Sequence, residues 1–266
     1  MPENRYCSRG TGNVGRVAID CNRILDSCRD KDCFENTRVY LTDPGRDIIN
    51  RTSTVRVKNT KVVGTCITVE PVRFNRGFYQ VYVRFYTRLC LEGCVSPGRA
   101  QEFEGLAVCD KHVILYGSEG DVSIFRSDPE NNSFCCSGPI GSNVETNAPT
   151  AVCEVVDPIA LSCCVSDERR PCCCCAADIP DSVLAALGGD IVPDGNDDNR
   201  LYCTLGFFSV IRIERPAQIL VSAEEYSVPD KQCMDTGDED PCAVFGRMSF
   251  PTHKFAPPSI CELRDD

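Results

Sequence analysis

The segment FYQVYVRFYTRLC, residues 78–90, alternates apolar and polar side chains over most of its length. One face would carry Tyr79, Val81, Val83 and Phe85, and the other Gln80, Arg84 and Arg88. Because successive side chains of a β-strand point to opposite faces, this period of two predicts a strand with one buried and one solvated face. Half-buried strands are typical of antiparallel sheets, so the segment favours an antiparallel β fold.

Other β-branched segments separated by turn residues extend this pattern, and they lie at 37–43, 53–59, 61–72, 111–117, 121–125, 150–157, 200–215 and 217–228. A short helix is predicted within 19–33, where Ile24, Leu25 and Cys28 lie at helical spacing. A second is predicted in DIPDSVLAALGGD (178–190), capped by Asp181 or Ser182 and ended by Gly188. The chain is therefore expected to be mainly β, an antiparallel β-sandwich-like fold of one or two domains with few short helices.

The segment ERRPCCCCAADIP, residues 168–180, contains four consecutive cysteines, Cys172, Cys173, Cys174 and Cys175. Adjacent Cα atoms lie about 3.8 Å apart, below the roughly 4.4–6.8 Å of an unstrained disulfide. Neighbouring thiols of an extended chain also point to opposite faces. The run therefore favours bonds to several distant partners, as in a cross-linking node, over bonds within itself.

Changes in composition suggest four regions along the chain. Residues 1–19, rich in Gly and Arg, are expected to be a coil that serves as an N-terminal connector arm. Residues 20–165 form a β-rich domain, and 166–199 a cysteine-rich loop with the short helix. Residues 200–266 form a C-terminal β segment that packs on or beside the first domain.

Cysteine makes up 21 of the 266 residues, although a chain of this length can bury a core without covalent staples. The N-terminal sequence lacks the apolar segment of a secretory signal, so we expect synthesis in the cytoplasm, where disulfides are rare. No run approaches the roughly 18 apolar residues of a membrane span. The thiols are expected either to bind metal or to be oxidised after the surroundings change.

Net charge is −11, which argues against nucleic acid as a partner, and the apolar pattern gives no reason to expect a membrane. Basic residues dominate the first 100 positions and acidic residues the remainder. This asymmetry is compatible with copies that meet basic end to acidic end, but taken alone it favours the simpler interpretation, in which two surfaces of one monomer differ.

Three patterns could indicate an enzyme or a cofactor site, but the residues around each of them do not support that function. GTGNVG at 10–15 matches a dinucleotide fingerprint, but the polar residues before it do not form a buried strand. Cys109 and His112 are not placed face to face by a spacing of three on a strand, and His253 lies in a proline-rich tail. We therefore expect no catalytic residues and no cofactor.

A metal site is the alternative use of the cysteines. Cys172 and Cys175 form a C-x-x-C pair, but Cys173 and Cys174 would crowd it and no second tight pair exists. We therefore expect no metal, and a cytoplasmic metal- or thiol-based redox protein stays as the alternative function.

An odd number of cysteines leaves at least one thiol for a partner chain. The candidate disulfide or cross-link residues are Cys7, Cys135, Cys136, Cys163, Cys164, Cys172, Cys173, Cys174, Cys175 and Cys261. By contrast, Cys66, Cys153 and Cys203 fall within strand patterns and are interpreted as small buried hydrophobic residues.

Several phrases carry a family resemblance, among them ILDSCRDKDCFENTRVYLTD, VEPVRFNRGFYQVYVRFY, EGLAVCDKHVILYGSEGDVSIF and LGFFSVIRIERPAQILVSAEEYSVPDKQC. Over about 19–165 and 200–260 the chain resembles a family of sporulation or spore-surface proteins, of coat or appendage, from clostridia. The chain is richer in cysteine than that pattern requires, notably at 135–136 and 163–175.

The resemblance implies synthesis in the mother cell's cytoplasm and a final location on the spore surface, exposed to oxidising surroundings. The resulting hypothesis is a self-assembling structural protein of a spore layer, appendage or filament, cross-linked by disulfides. Its expected partners are copies of itself and other spore-surface proteins.

Overall fold

The alternating segment 78–90 lies in the long strand β3 (Phe78–Ser96), and its two faces differ as the period of two predicts. Val81, Val83 and Phe85 are completely buried, whereas Tyr82 is exposed. β3 pairs antiparallel with β2 (Val55–Pro71) on one side and with β4 (Arg99–Tyr116) on the other. These three strands form a meander in which β3 and β4 carry buried core residues and β2 packs against them.

The computed structural model describes residues 15–52, 54–96, 99–125, 145–168, 178–191 and 199–223. Within these residues the other strands are β1 (Gly15–Leu41), β5 (Ser123–Ile124), β6 (Glu145–Thr146), β7 (Thr150–Val155), β8 (Ile159–Ser166) and β9 (Arg200–Ala223). The helices are α1 (Asp43–Ile49) and α2 (Asp181–Leu184).

Seven of the described strands form one sheet, in the order β2-β3-β4-β1-β9-β7 with β8 also paired to β9. β9 is long enough to pair with β8 through 200–206 and with β7 through 209–214, antiparallel in both cases. β5 and β6 form a separate two-stranded ladder.

The sheet curves until its two ends face each other. The rings of Phe85 on β3 and Phe207 on β9 lie 5.0 Å apart, although β4 and β1 separate these strands in the sheet. At the edge, Val62 N on β2 donates a hydrogen bond of 2.9 Å to Asp157 Oδ1, in the connection between β7 and β8. The predicted mainly β, antiparallel fold is confirmed. The two layers expected of a sandwich are here two parts of a single curved sheet.

A smaller apolar cluster covers part of the outer surface of the sheet. Ile179, Val183 and Leu187, in and around α2, pack against Tyr86 and Leu106. The predicted helix in this segment is therefore confirmed, but its expected ends are wrong. Its N-cap is Pro180 without a side-chain cap, and the helix ends at Leu184 rather than at Gly188. The segment is fixed by packing on the sheet, which a local capping rule does not include.

The helix predicted within 19–33 is wrong, because these residues belong to β1. Cys28 and Phe34 pack against the core from the same face of the strand, and Asp30 and Asp32 on that face bind Lys111. A helix would have scattered these four side chains. Residues 15–19 of the predicted coil arm also lie in β1, while 1–14 lie outside the described residues.

α1 is a helix that the strand pattern alone did not indicate. It follows β1 directly, carries Pro44 in its first turn and buries Ile48 and Ile49. Proline in the first helical turn costs nothing there, because those N–H groups lack helical partners in any case. The sequence TDPGRDII therefore contained a start signal for this helix.

The chain divides into a large compact unit, Asn22–Pro216, and a smaller unit. Of the smaller unit, residues 15–21 and 217–223 are described, and they are strand residues. The four-region division given above stays a prediction.

Arg215, a buried residue of β9, holds the chain around 117–120 and 147 through five hydrogen bonds. Its Nε donates to Gly117 O at 2.6 Å, and its Nη1 donates to Gly120 O at 2.6 Å and Asn147 O at 2.9 Å. Its Nη2 donates to Tyr79 Oη at 3.0 Å and Ser118 O at 3.1 Å. The five N–H donors of the guanidinium thus have five acceptors, all of them uncharged.

Replacing Arg215 with Lys should destabilise the fold, because an ammonium offers three donors and leaves buried carbonyl oxygens without partners. We expect the free energy of unfolding to fall by about 2–4 kcal/mol in urea denaturation followed by circular dichroism. Arg212→Lys, a matched change on the same strand, should have a much smaller effect because Arg212 pairs with Glu154 at the surface. Equal losses in both variants would contradict this role for Arg215.

Candidate functional site

Cys163 and Cys203 form a disulfide that joins β8 to β9, with Cα atoms 4.2 Å apart. The two residues lie directly opposite each other in the strand register, and both side chains face the core. The interpretation of Cys203 as a small buried hydrophobic residue was correct about burial, but its sulfur is bonded. Which cysteine bonds to Cys203 depends on how β8 and β9 are aligned. The apolar pattern of a single strand carries no information about that alignment.

Cys164, the next residue of β8, carries an exposed thiol. It pairs with Tyr202, whereas Cys163 pairs with Cys203, so the two neighbouring cysteines point to opposite faces of the sheet. The sulfur of Cys163 is thus bonded inside the fold, whereas the sulfur of Cys164 is exposed to solvent on the same strand.

The chain that leaves β8 toward the four-cysteine run is anchored to β9. Arg200 Nη1 donates to Asp167 O at 3.1 Å, and Tyr202 Oη donates to Glu168 O at 3.0 Å. The guanidinium of Arg38 lies 5.5 Å from the centroid of the Tyr202 ring. The other candidate cross-link residues, Cys7, Cys135, Cys136, Cys172, Cys173, Cys174, Cys175 and Cys261, lie outside the described residues.

The described residues contain further thiols, at several depths. Cys33, Cys66 and Cys94 are exposed, Cys109 is buried, and Cys21, Cys28, Cys90 and Cys153 are intermediate. The interpretation of Cys66 as buried is therefore wrong. It lies on β2, which ends the sheet order, and only some side chains of this strand reach the core. Cys153 does pack against the core from β7.

A charged cluster lies on the inner face of the sheet close to two of these thiols. The side chain of Lys111 is 4 % exposed, and its Nζ donates to Asp30 Oδ2 at 2.7 Å and also to Asp32 Oδ2. Burial opposes the charge of Lys111, but hydrogen bonds to the two carboxylates outweigh it and raise its pKa. The hydrogen bond from Lys111 in turn lowers the pKa of Asp30.

Burial raises the pKa of both Cys28 and Cys153, and the nearby positive charge of Lys111 only partly offsets this. The thiolate is the reactive form of cysteine, so these two thiols are protonated and slow in exchange at neutral pH. They are suited to filling the core rather than to redox chemistry.

Cys109 and His112 point to opposite faces of β4, since Cys109 is buried in the core and His112 is exposed beside Tyr82. His253 lies outside the described residues, as does most of GTGNVG. Gly15, the last glycine of that motif, begins a strand where a dinucleotide site needs a helix. No group of His, Cys, Asp or Glu side chains with the arrangement of a metal site occurs in the described part of the chain.

Comparisons with protein-family models, with curated proteins and with solved structures gave no match. The helices in the described ranges are a few residues long, and none of them has the length and apolar character needed to cross a bilayer.

Replacing Cys163 and Cys203 together with Ala should lower the free energy of unfolding by about 2–4 kcal/mol, because the bridge closes a loop with a sequence separation of 40. Denaturant unfolding without reductant measures this loss. Cys164→Ala removes a neighbouring thiol that forms no bridge within the described fold, so it should unfold at the wild-type denaturant concentration. A double variant as stable as the wild type would contradict a closed bridge.

Lys111→Met should raise the thiol pKa of Cys28 and Cys153 further, because it removes the positive charge that favours their thiolates. Alkylation by iodoacetamide, followed by peptide mass spectrometry between pH 7 and 10, should reach its half-maximal rate at higher pH in the variant. Lys31→Met is the matched control, since Lys31 lies over the exposed ring of Phe208. An unchanged profile in Lys111→Met would show that the charge does not reach the thiols.

Proposed function

We propose that this chain is a structural protein that assembles with copies of itself into a spore surface layer, appendage or filament, stabilised by disulfides between copies. The observation that supports the proposal best is the pair Cys163 and Cys164. One of these neighbours is closed in a bridge inside the fold, and the other presents an exposed thiol.

The internal bridge favours a final environment that is oxidising, because disulfides of this kind rarely persist in a reducing cytoplasm. In such an environment exposed thiols are oxidised as well. Cys33, Cys66 and Cys164 lie exposed on three different strands, so their sulfur atoms are presented in several directions from a rigid sheet. A subunit with thiols on several sides can be bonded to more than one neighbour.

The thiol-based redox alternative needs a cysteine of low pKa that a substrate can reach. Among the described cysteines, the two near Lys111 are partly buried and have raised pKa values. This favours a structural use of the thiols over a catalytic one. The spore location is supported by the sequence phrases that resemble the spore-surface family.

Electrophoresis of native material with and without reductant, together with elemental analysis for zinc and iron, tests the proposal. We expect high-mass species without metal that collapse on reduction to the 29.3 kDa chain. Replacing Cys33, Cys66 and Cys164 together with Ser should shift the unreduced species to lower mass. Cys109→Ser is the matched control and should leave them unchanged, because that thiol is buried.

A monomer that carries stoichiometric metal and reduced thiols would contradict the proposal and support the metal or redox alternative. A high-mass species that survives reduction would show that assembly does not depend on disulfides.

A further inference from the structure

Five large apolar side chains lie exposed together on the outward face of β8, of β9 near 206–210 and of the end of β7. This outer patch consists of Val156, Ile159, Leu161, Phe208 and Val210, each between 39 % and 58 % exposed. Phe208 and Val210 alternate along β9 with the core residues Phe207 and Ile211, so this part of the strand has large apolar side chains on both faces. A strand covered on one face needs no apolar residues on the other for its own folding.

The patch is continuous across neighbouring strands. Val156 N donates to Phe208 O at 3.4 Å, which places these two residues side by side. Leu161 of β8 lies over Gly206 of β9, where its Cδ1 is 3.6 Å from the position that a Cβ would occupy. Phe208, Val210 and Val156 also line a groove of about 680 Å³. Contiguous exposed patches of this kind mark interaction sites more often than scattered apolar residues do.

β9 has hydrogen-bonded neighbours on both sides at this level, since β1 lies along one edge and β7 and β8 along the other. A partner therefore cannot add a strand here, and it must contact the face of the sheet through side chains.

The two sides of the groove carry opposite charge. On the β1 side are the exposed residues Arg29 and Lys31, and Lys31 Nζ lies 5.7 Å from the centroid of the Phe208 ring. On the β7 side the groove is lined by Glu154, which pairs with Arg212 of β9, and Arg212 also pairs with Glu214 of the same strand. Asp30 also lines the β1 side, but Lys111 binds its carboxylate, so Arg29 and Lys31 leave this side basic, and the acidic lining residue on the β7 side is Glu154.

A two-fold axis parallel to β9, passing over Phe208 in the plane between two facing sheets, exchanges these two sides. In a face-to-face pair of copies it sets Arg29 and Lys31 of each copy against Glu154 of the other, with the apolar residues between them. A surface that is complementary to itself under a two-fold rotation is the requirement for an isologous interface. Opposite potentials of this kind fix the orientation of the two partners.

We propose that the outer patch is a symmetric, non-covalent interface between two copies of this chain. The inference rests on the proposed self-assembly and names the surface through which two subunits meet before disulfides form. Phe208 lies at the centre of the contact and the charged residues at its rim, an arrangement in which central aromatic residues contribute most of the affinity.

Sedimentation velocity of the full chain over a range of concentrations, with exposed thiols blocked by iodoacetamide, measures this contact apart from cross-linking. We expect the wild type to associate reversibly, and Phe208→Glu to raise the dissociation constant by about 30-fold or more. Phe74→Glu is the matched control, because Phe74 is fully exposed in the turn between β2 and β3 and should leave the association unchanged.

Charge reversal tests the symmetry. Lys31→Glu and Glu154→Lys should each weaken association alone, because like charges then meet at both rims of the pair. An equimolar mixture of the two variants should recover it, since each glutamate then faces a lysine of the other chain. The recovered species should contain both variants when it is isolated and its masses are measured.

Association of Phe208→Glu as tight as that of the wild type would overturn this interface, while a disulfide ladder on non-reducing gels would leave the proposed function standing. Loss of association in Phe208→Glu without recovery in the mixture would overturn the two-fold arrangement. Absence of both the ladder and reversible association in the wild type would overturn the proposed function itself.

Discussion

The contact between Phe85 and Phe207 holds together strands that the sheet alone would keep apart. Phe207 lies 5.0 Å from Phe85 and 5.3 Å from Phe34, measured between ring centroids, and Phe85 and Phe207 are completely buried or nearly so. Each such ring contributes roughly 1.5–3 kcal/mol through burial. A flat sheet of these strands would expose this face to water, so the aromatic contacts and the curvature of the sheet depend on each other.

β9 connects this core to the rest of the surface. Its odd-numbered residues face inward. Among them are Leu201, the bonded Cys203 and the buried Arg215 with its five hydrogen bonds. Its even-numbered residues include Tyr202, which anchors the chain beyond β8, and Phe208, at the centre of the outer patch. The same strand therefore fixes the covalent bridge, a buried hydrogen-bond cluster and the proposed interface, because a β-strand presents two independent faces.

The thiols follow the same division of the sheet into an inner and an outer face. On the inner face of the described sheet, Cys163 is bonded to Cys203, and burial raises the thiol pKa of Cys28 and Cys153. Sulfur on exposed positions such as Cys164 is open to partners. In the proposed assembly, the non-covalent contact orients two subunits and disulfides between exposed thiols then join them covalently.

The sequence by itself determined the fold class, because a period of two in apolar residues over 78–90 is compatible with a half-buried strand and with little else. It also indicated the short helix at 181–184 and the location of most strands. It did not determine β1 over 19–33, where Cys28, Asp30 and Asp32 acquire their role only from Lys111 and the core around it. Nor did it reveal the bond between Cys163 and Cys203. That pairing depends on the register of β8 with β9, and only tertiary structure sets which residues of two strands lie opposite each other.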